Sequence, residues 1–263
     1  MFVDCHAHII HPFNHTTITQ RDVDAVVSAA RRKEVDYVAS VSANPKYYSF
    51  YDIERHFGGL MRVVGIQRGL AQNDNSPLIS NLRSEIELHR PKAIGEIGLD
   101  YNSLNQTSSQ RGIFRRRQQQ LFRDQIRLAR EFDLPIVIHE AGADRDLLAT
   151  LEEERADDIQ GMVHGCTCGR EARETLLDMG FFLSFGFSQL EGSRTSEMIS
   201  ETPVENLLTE TDSPAWLRYP DMSVQYQPAD VPEIAGKMAE IKEMEIEEFA
   251  QVVLRNAGKL FRF

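Results

Sequence analysis

FVDCHAH, residues 2–8, is a short apolar run that ends in two histidines separated by one alanine. It reads as a strand, and side chains alternate faces along a strand. Asp4, His6 and His8 therefore project to one side and Val3 and Cys5 to the other. Seven similar runs follow: VDYVASVS (35–42), MRVVGIQ (61–67), KAIGEIGL (92–99), LPIVIHE (134–140), GMVHGC (161–166), FFLSFG (181–186) and NLLTETD (206–212). Helix candidates lie between them. Residues 113–132 place Phe122, Ile126, Ala129 and Phe132 at helical spacing among arginines and glutamines, and residues 246–261 line up Ile246, Phe249, Val253, Ala257 and Leu260 on one stripe. Eight β/α units in a chain of 263 residues predict an α/β fold, a (β/α)8 TIM barrel, with a doubly wound open sheet as the rival. No linker, low-complexity tract or internal repeat divides the chain, so residues 1–263 are expected to form one domain.

Composition narrows the function classes. With 41% hydrophobic and 26% charged residues the chain reads as an ordinary globular protein. Twenty-nine Lys+Arg against 40 Asp+Glu give a net charge of −11, which disfavours a broad nonspecific grip on nucleic acid or an anionic membrane. Three cysteines, Cys5, Cys166 and Cys168, make no disulfide framework. There is no signal-like N-terminus, and no apolar window approaches the roughly 18 residues of a membrane span. The expectation is a cytoplasmic protein with no membrane association and no obligate protein partner.

The active site of such a barrel forms at the C-terminal ends of its strands. His6 and His8 end the first run, Glu96 falls in the fourth, His139 in the fifth, His164 in the sixth and Asp212 ends the eighth. Neutral imidazoles and ionised carboxylates are the ligand set of zinc, manganese and similar divalent ions. Four histidines and two carboxylates exceed the needs of one open catalytic site and suit two ions bridged by a carboxylate.

DCHAH, AIGEIGLDY, PIVIH, MVHGCT and LLTETDSP resemble, in order, the motifs of the TatD family of metal-dependent hydrolases, within the amidohydrolase-like barrels, and the closing NAGKLF is similar to the family's final helix. The resemblance implies that His6, His8 and Asp212 hold one divalent ion (Zn, Mg or Mn) and His139 and His164 a second, with Glu96 bridging. It further implies a metal-activated water as nucleophile and Asp212 as proton acceptor, so Glu96 and Asp212 are the catalytic candidates. Glu210 shares the face of Asp212 by the two-residue period and is expected to support the ligands. Family members are commonly nucleases or phosphodiesterases acting on DNA. Some instead cleave ester links on aminoacylated tRNA.

Three segments depart from the family pattern. Where the family usually reads H-S-R-x-A, this chain has His139-Glu140-Ala141-Gly142-Ala143, so Ala141 replaces an arginine and Glu140 is expected to repel an anion, with Arg145 the nearest replacement cation. Where the family tends to H-C-F-[ST]-G, the chain has His164-Gly165-Cys166-Thr167-Cys168-Gly169. Alternation places Cys166 on the face of His164 as a small thiol filling the pocket wall. After LLTETDSP come Trp216, Arg218, Tyr219 and Tyr226: the aromatics are expected to cover the barrel mouth, and Arg218 to be a cation over the site.

His11 and His15 are expected on a surface or lid loop, and His56 and His89 in helical regions with no role. The arginines at 115–117, 123, 127 and 130 are expected to form a solvated face paired with acids. The leading expectation is a TatD-like deoxyribonuclease or phosphodiesterase. The alternative is a carboxyl-ester or amide hydrolase, such as an aminoacyl-tRNA deacylase or one acting on a small cyclic amide. A non-catalytic metal-binding scaffold is the last rival, and a missing ligand would have been its mark.

Overall fold

The computed structural model describes residues 1–9, 19–50, 58–103, 108–190, 193–213 and 226–263. Eight strands, β1 (Phe2–Ala7), β2 (Val35–Ser42), β3 (Leu60–Val64), β4 (Ala93–Asp100), β5 (Ile136–Ala141), β6 (Gly161–Val163), β7 (Phe182–Phe185) and β8 (Leu207–Thr209), lie in one sheet in sequence order. Each pairs in parallel with the next. The ring closes just beyond β8: Asp212 N donates to His6 O at 2.9 Å, His8 N to Ser213 O at 2.6 Å, and Thr209 Oγ1 to Val3 O at 2.8 Å. Closure of the first strand on the last makes this a (β/α)8 barrel and removes the open-sheet rival.

The helices among the described residues are α1 (Gln20–Arg32), α2 (Ser76–His89), α3 (Ser108–Glu131), α4 (Asp144–Glu153), α5 (Arg170–Asp178), α6 (Phe187–Leu190), α7 (Ser193–Glu201), α8 (Val231–Ile241) and α9 (Ile246–Phe261). None of them is long and apolar enough to cross a membrane. The longer ones turn buried apolar residues to the barrel. In α3, Phe122, Ile126 and Ala129 are buried, while Arg123 reaches Glu153 at 2.5 Å, Arg127 reaches Glu154 at 2.6 Å and Arg130 reaches Asp158 at 3.0 Å. Arg123, Arg127 and Arg130 thus pair with acids as their spacing suggested, and such exposed pairs stabilise little. Arg115 instead lies over the Tyr101 ring at 4.4 Å, and Arg117 donates to Asn73 Oδ1 at 2.8 Å.

The closing helix α9 has the bounds its periodicity predicts, with Phe249, Val253, Ala257 and Leu260 buried. Burial of side chains of that size contributes about 1.5–3 kcal/mol for each large one. Asn256 is buried among them because its Nδ2 donates to Val204 O at 2.9 Å and Leu207 O at 3.0 Å, tying α9 to the start of β8. Asn256→Ala strands both carbonyls and is expected to cost roughly 2–4 kcal/mol in urea unfolding. A loss below about 0.5 kcal/mol would show that neither carbonyl depends on it.

Several strands are shorter than their apolar runs, among them three that carry or flank the site. The expected 61–67, 161–166 and 206–212 become Leu60–Val64, Gly161–Val163 and Leu207–Thr209. At the last two, Gly165 and Asp212 adopt φ of 50°, which ends extended geometry. His164, Glu210 and Asp212 therefore stand on the rim, just past the ladder.

Candidate metal centre

All six strand-end groups converge at this rim. Glu96 lies between two pairs of imidazoles. Its Oε2 is 3.5 Å from His8 Nε2 and 4.0 Å from His6 Nε2, and its Oε1 is 2.9 Å from His139 Nδ1 and 3.5 Å from His164 Nε2. Asp212 Oδ1 is 3.5 Å from His6 Nε2 and 3.6 Å from His8 Nε2. The backbone turns Asp212 toward β1 through its left-handed φ, a conformation Asp adopts more readily than most residues.

Hydrogen bonds on the far side of His8 and His164 set the orientation of those two rings. The His8 Nδ1–H donates to Val41 O at 3.1 Å, leaving Nε2 as a lone pair toward the centre. Glu210, fully buried, lies with Oε1 3.4 Å from His164 Nδ1, the supporting position that the two-residue period suggested. Asp4 is also buried. It accepts from His6 N at 3.2 Å, from Thr211 N at 3.0 Å and from Thr211 Oγ1 at 2.6 Å, so it ties β1 to the segment carrying Glu210 and Asp212. Burial pushes the Asp4 carboxyl up to about 7, against those hydrogen bonds.

Two further charged residues belong to the rim. Arg68, in the 3-10 turn Arg68–Leu70 after β3, donates from Nη1 to Glu96 Oε1, and its Nη2 lies 3.6 Å from Asp100 Oδ2. Asp100 ends β4 and also lies 3.7 Å from His139 Nε2. Neither was singled out from the sequence. Asp100 ends the run that carries Glu96, and Arg68 directly follows an apolar run. The strand-end rule that found the histidines reaches Asp100; it brings Arg68 to the rim but not against Glu96.

The donor set fits divalent cations. Burial would raise the Glu96 carboxyl, but Arg68, His139, His164 and His8 outweigh it and hold it well below the usual carboxylate range, as an anion. Burial, helped by His164 and His8, holds His6 neutral. Burial opposes charge on His164 too, yet Glu210 and Glu96 outweigh it and raise its pKa well above the ordinary value, so the acids draw a cation to this spot. Ring nitrogens face one another, His6 Nε2 with His8 Nε2 at 3.3 Å and His139 Nδ1 with His164 Nε2 at 3.0 Å. In their neutral forms, imidazoles so placed would turn lone pairs toward a shared electron-pair acceptor. Three overlapping groups, His6/His8/Glu96, Glu96/His139/His164 and His6/His164/Asp212, each offer donor atoms within 4.8 Å of one another.

Other expectations are corrected. Glu140 does not face the mouth where an anion would meet it. It neighbours His139 on β5 and so takes the opposite face, where Oε1 accepts from Ala143 N at 2.6 Å and Oε2 lies 3.6 Å from Cys168 Sγ. Cys166 is buried as expected, but the left-handed Gly165 breaks the alternation from His164. Its thiol lies beside Cys168 and joins none of the donor groups of the centre. Arg145 is exposed on α4. Tyr226 stacks on Phe187 with ring centroids 4.2 Å apart. His89 ends α2, 4.0 Å from Glu85. The expectations for His11, His15, His56, Trp216, Arg218 and Tyr219 lie outside the described residues.

Comparison with known proteins places the chain in a family. The model of the TatD-related DNase family matches residues 3–262. The uncharacterized metal-dependent hydrolase YcfH of Escherichia coli is 32% identical over 265 residues, covering 98% of this chain and 95% of that protein. The human deoxyribonuclease TATDN3 is 27% identical over 276 residues, covering 98% and 94%. Among solved structures, the TatD homologue YjjV of E. coli superposes with a TM-score of 0.85 at 22% identity over 100% of this chain and 98% of that one, a likeness of fold.

Proposed function

Because the chain belongs to the TatD family of metal-dependent hydrolases, we propose that the six convergent groups form a two-ion centre that hydrolyses phosphodiester bonds of nucleic acid with water as the nucleophile. His6, His8 and Asp212 would hold one ion, His139 and His164 the other, and Glu96 would bridge them. When bound, such cations lower the pKa of water and stabilise both the attacking and the leaving oxygen of a phosphodiester. The observation that carries this reading is the division of Glu96, whose two oxygens face two different histidine pairs.

The remaining work falls to side chains. Asp212, whose side chain at 37% exposure is the most open of the set, accepts the proton of the attacking water. Glu210 accepts from the His164 Nδ1–H and so keeps Nε2 as the ligand atom. Glu210→Gln is accordingly expected to weaken manganese binding about 10–100-fold in calorimetry with the thermal midpoint little changed. Unchanged affinity would assign Glu210 to packing alone.

Similarity to a human protein named a deoxyribonuclease supports the choice of substrate. The test is hydrolysis of single-stranded DNA and of bis-p-nitrophenyl phosphate by metal-stripped protein, with Mg, Mn and Zn restored singly. Cleavage that returns with metal and is absent from His139→Ala and Asp212→Ala supports the phosphodiesterase. Two ions bound per chain with no cleavage would overturn it, in favour of a carboxyl-ester or amide hydrolase on the same centre.

A further inference from the structure

Among the described residues, Arg68 is the one guanidinium in contact with the centre. Its side chain is 20% exposed, so it combines a buried ion pair with an open side at the mouth. The Glu96 oxygen it holds, Oε1, is the same atom that faces His139 and His164. A cation held at that oxygen would stand beside Arg68 as like charge and compete for Oε1, while Asp100, anchored by Ser103 N at 2.9 Å, lies 3.6 Å from Nη2. A guanidinium keeps its charge at any working pH and presents a planar fork that matches two phosphoryl oxygens.

We infer that Arg68 is the anion-recognition residue of the centre: paired with Glu96 when the site is unloaded, it donates to a non-bridging oxygen of a phosphate ester when the site is loaded, and so selects phosphate esters over neutral ones. The inference rests on the proposed function for its substrate, yet phosphate binding tests it separately. Arg145 does not compete for the role, being exposed on α4.

The experiment titrates inorganic phosphate into manganese-saturated wild-type, Arg68→Gln and Arg68→Lys proteins by calorimetry, with manganese affinity measured alongside. Arg68→Gln is expected to bind phosphate about 10–100-fold more weakly, the worth of a charged hydrogen-bond pair, with Arg68→Lys between the two. KM for bis-p-nitrophenyl phosphate is expected to rise more than kcat falls. Equal phosphate affinity in wild type and Arg68→Gln, or no phosphate binding by wild type, would overturn the inference. So would equal weakness of both variants accompanied by lost manganese affinity, which would make Arg68 only the counter-ion of Glu96. Wild type that binds phosphate through Arg68 but cleaves no phosphodiester would overturn the proposed function and leave the inference standing.

Discussion

Glu96→Gln is expected to lower turnover by about a thousandfold or more while the barrel stays folded, because an amide is a poor ligand for hard divalent cations and one side chain serves both histidine pairs. Glutamine is close to isosteric, and Arg68 keeps Asp100 as an acidic neighbour. The loss therefore belongs to the centre and not to packing. Bound manganese is expected to fall from two ions per chain to one or none, read by elemental analysis after desalting. If two ions remain and turnover falls only severalfold, Glu96 does not bridge.

Asp212 offers the second large effect, and its backbone separates chemistry from strain. Asp212→Asn keeps a residue type that tolerates φ near 50°, and the Asp212 N–His6 O bond that closes the barrel is a main-chain bond that survives. Turnover is expected to drop about 10²–10⁴-fold through loss of the proton acceptor, with the urea midpoint nearly unchanged. Asp212→Ala is expected to show the same kinetic loss and to be about 1–2 kcal/mol less stable than Asp212→Asn, since a Cβ without a polar side chain disfavours the left-handed region. Equal stability of the two would remove the backbone part of this account. Full activity of Asp212→Asn would remove the chemical part.

The barrel was legible because a parallel strand covered on both faces is mostly apolar, and β4, apart from Glu96 and Asp100, is a buried run of apolar residues and glycine. Chemistry-bearing residues at the ends of such runs then stand out. The two-residue period succeeded where backbone stays extended: it placed His6, His8 and Asp4 together, and applied across β5 it would have turned Glu140 away from His139. It failed at Cys166, because Gly165 leaves extended geometry and a period cannot be carried through a left-handed residue. Run length also exceeded ladder length at β6 and β8, where apolar residues continue past the last paired one. Arg68 was missed for a different reason. Its role depends on meeting Glu96 across β3 and β4, twenty-eight residues apart in the chain, a contact that no local pattern encodes.

The central claim is that six side chains hold two ions divided by Glu96. Its most direct test is anomalous scattering from crystals of the manganese-loaded protein. Two peaks about 3.5–4 Å apart are expected, one among His6, His8, Asp212 and Glu96 Oε2, the other among His139, His164 and Glu96 Oε1. A single peak, or peaks away from Glu96, would contradict it.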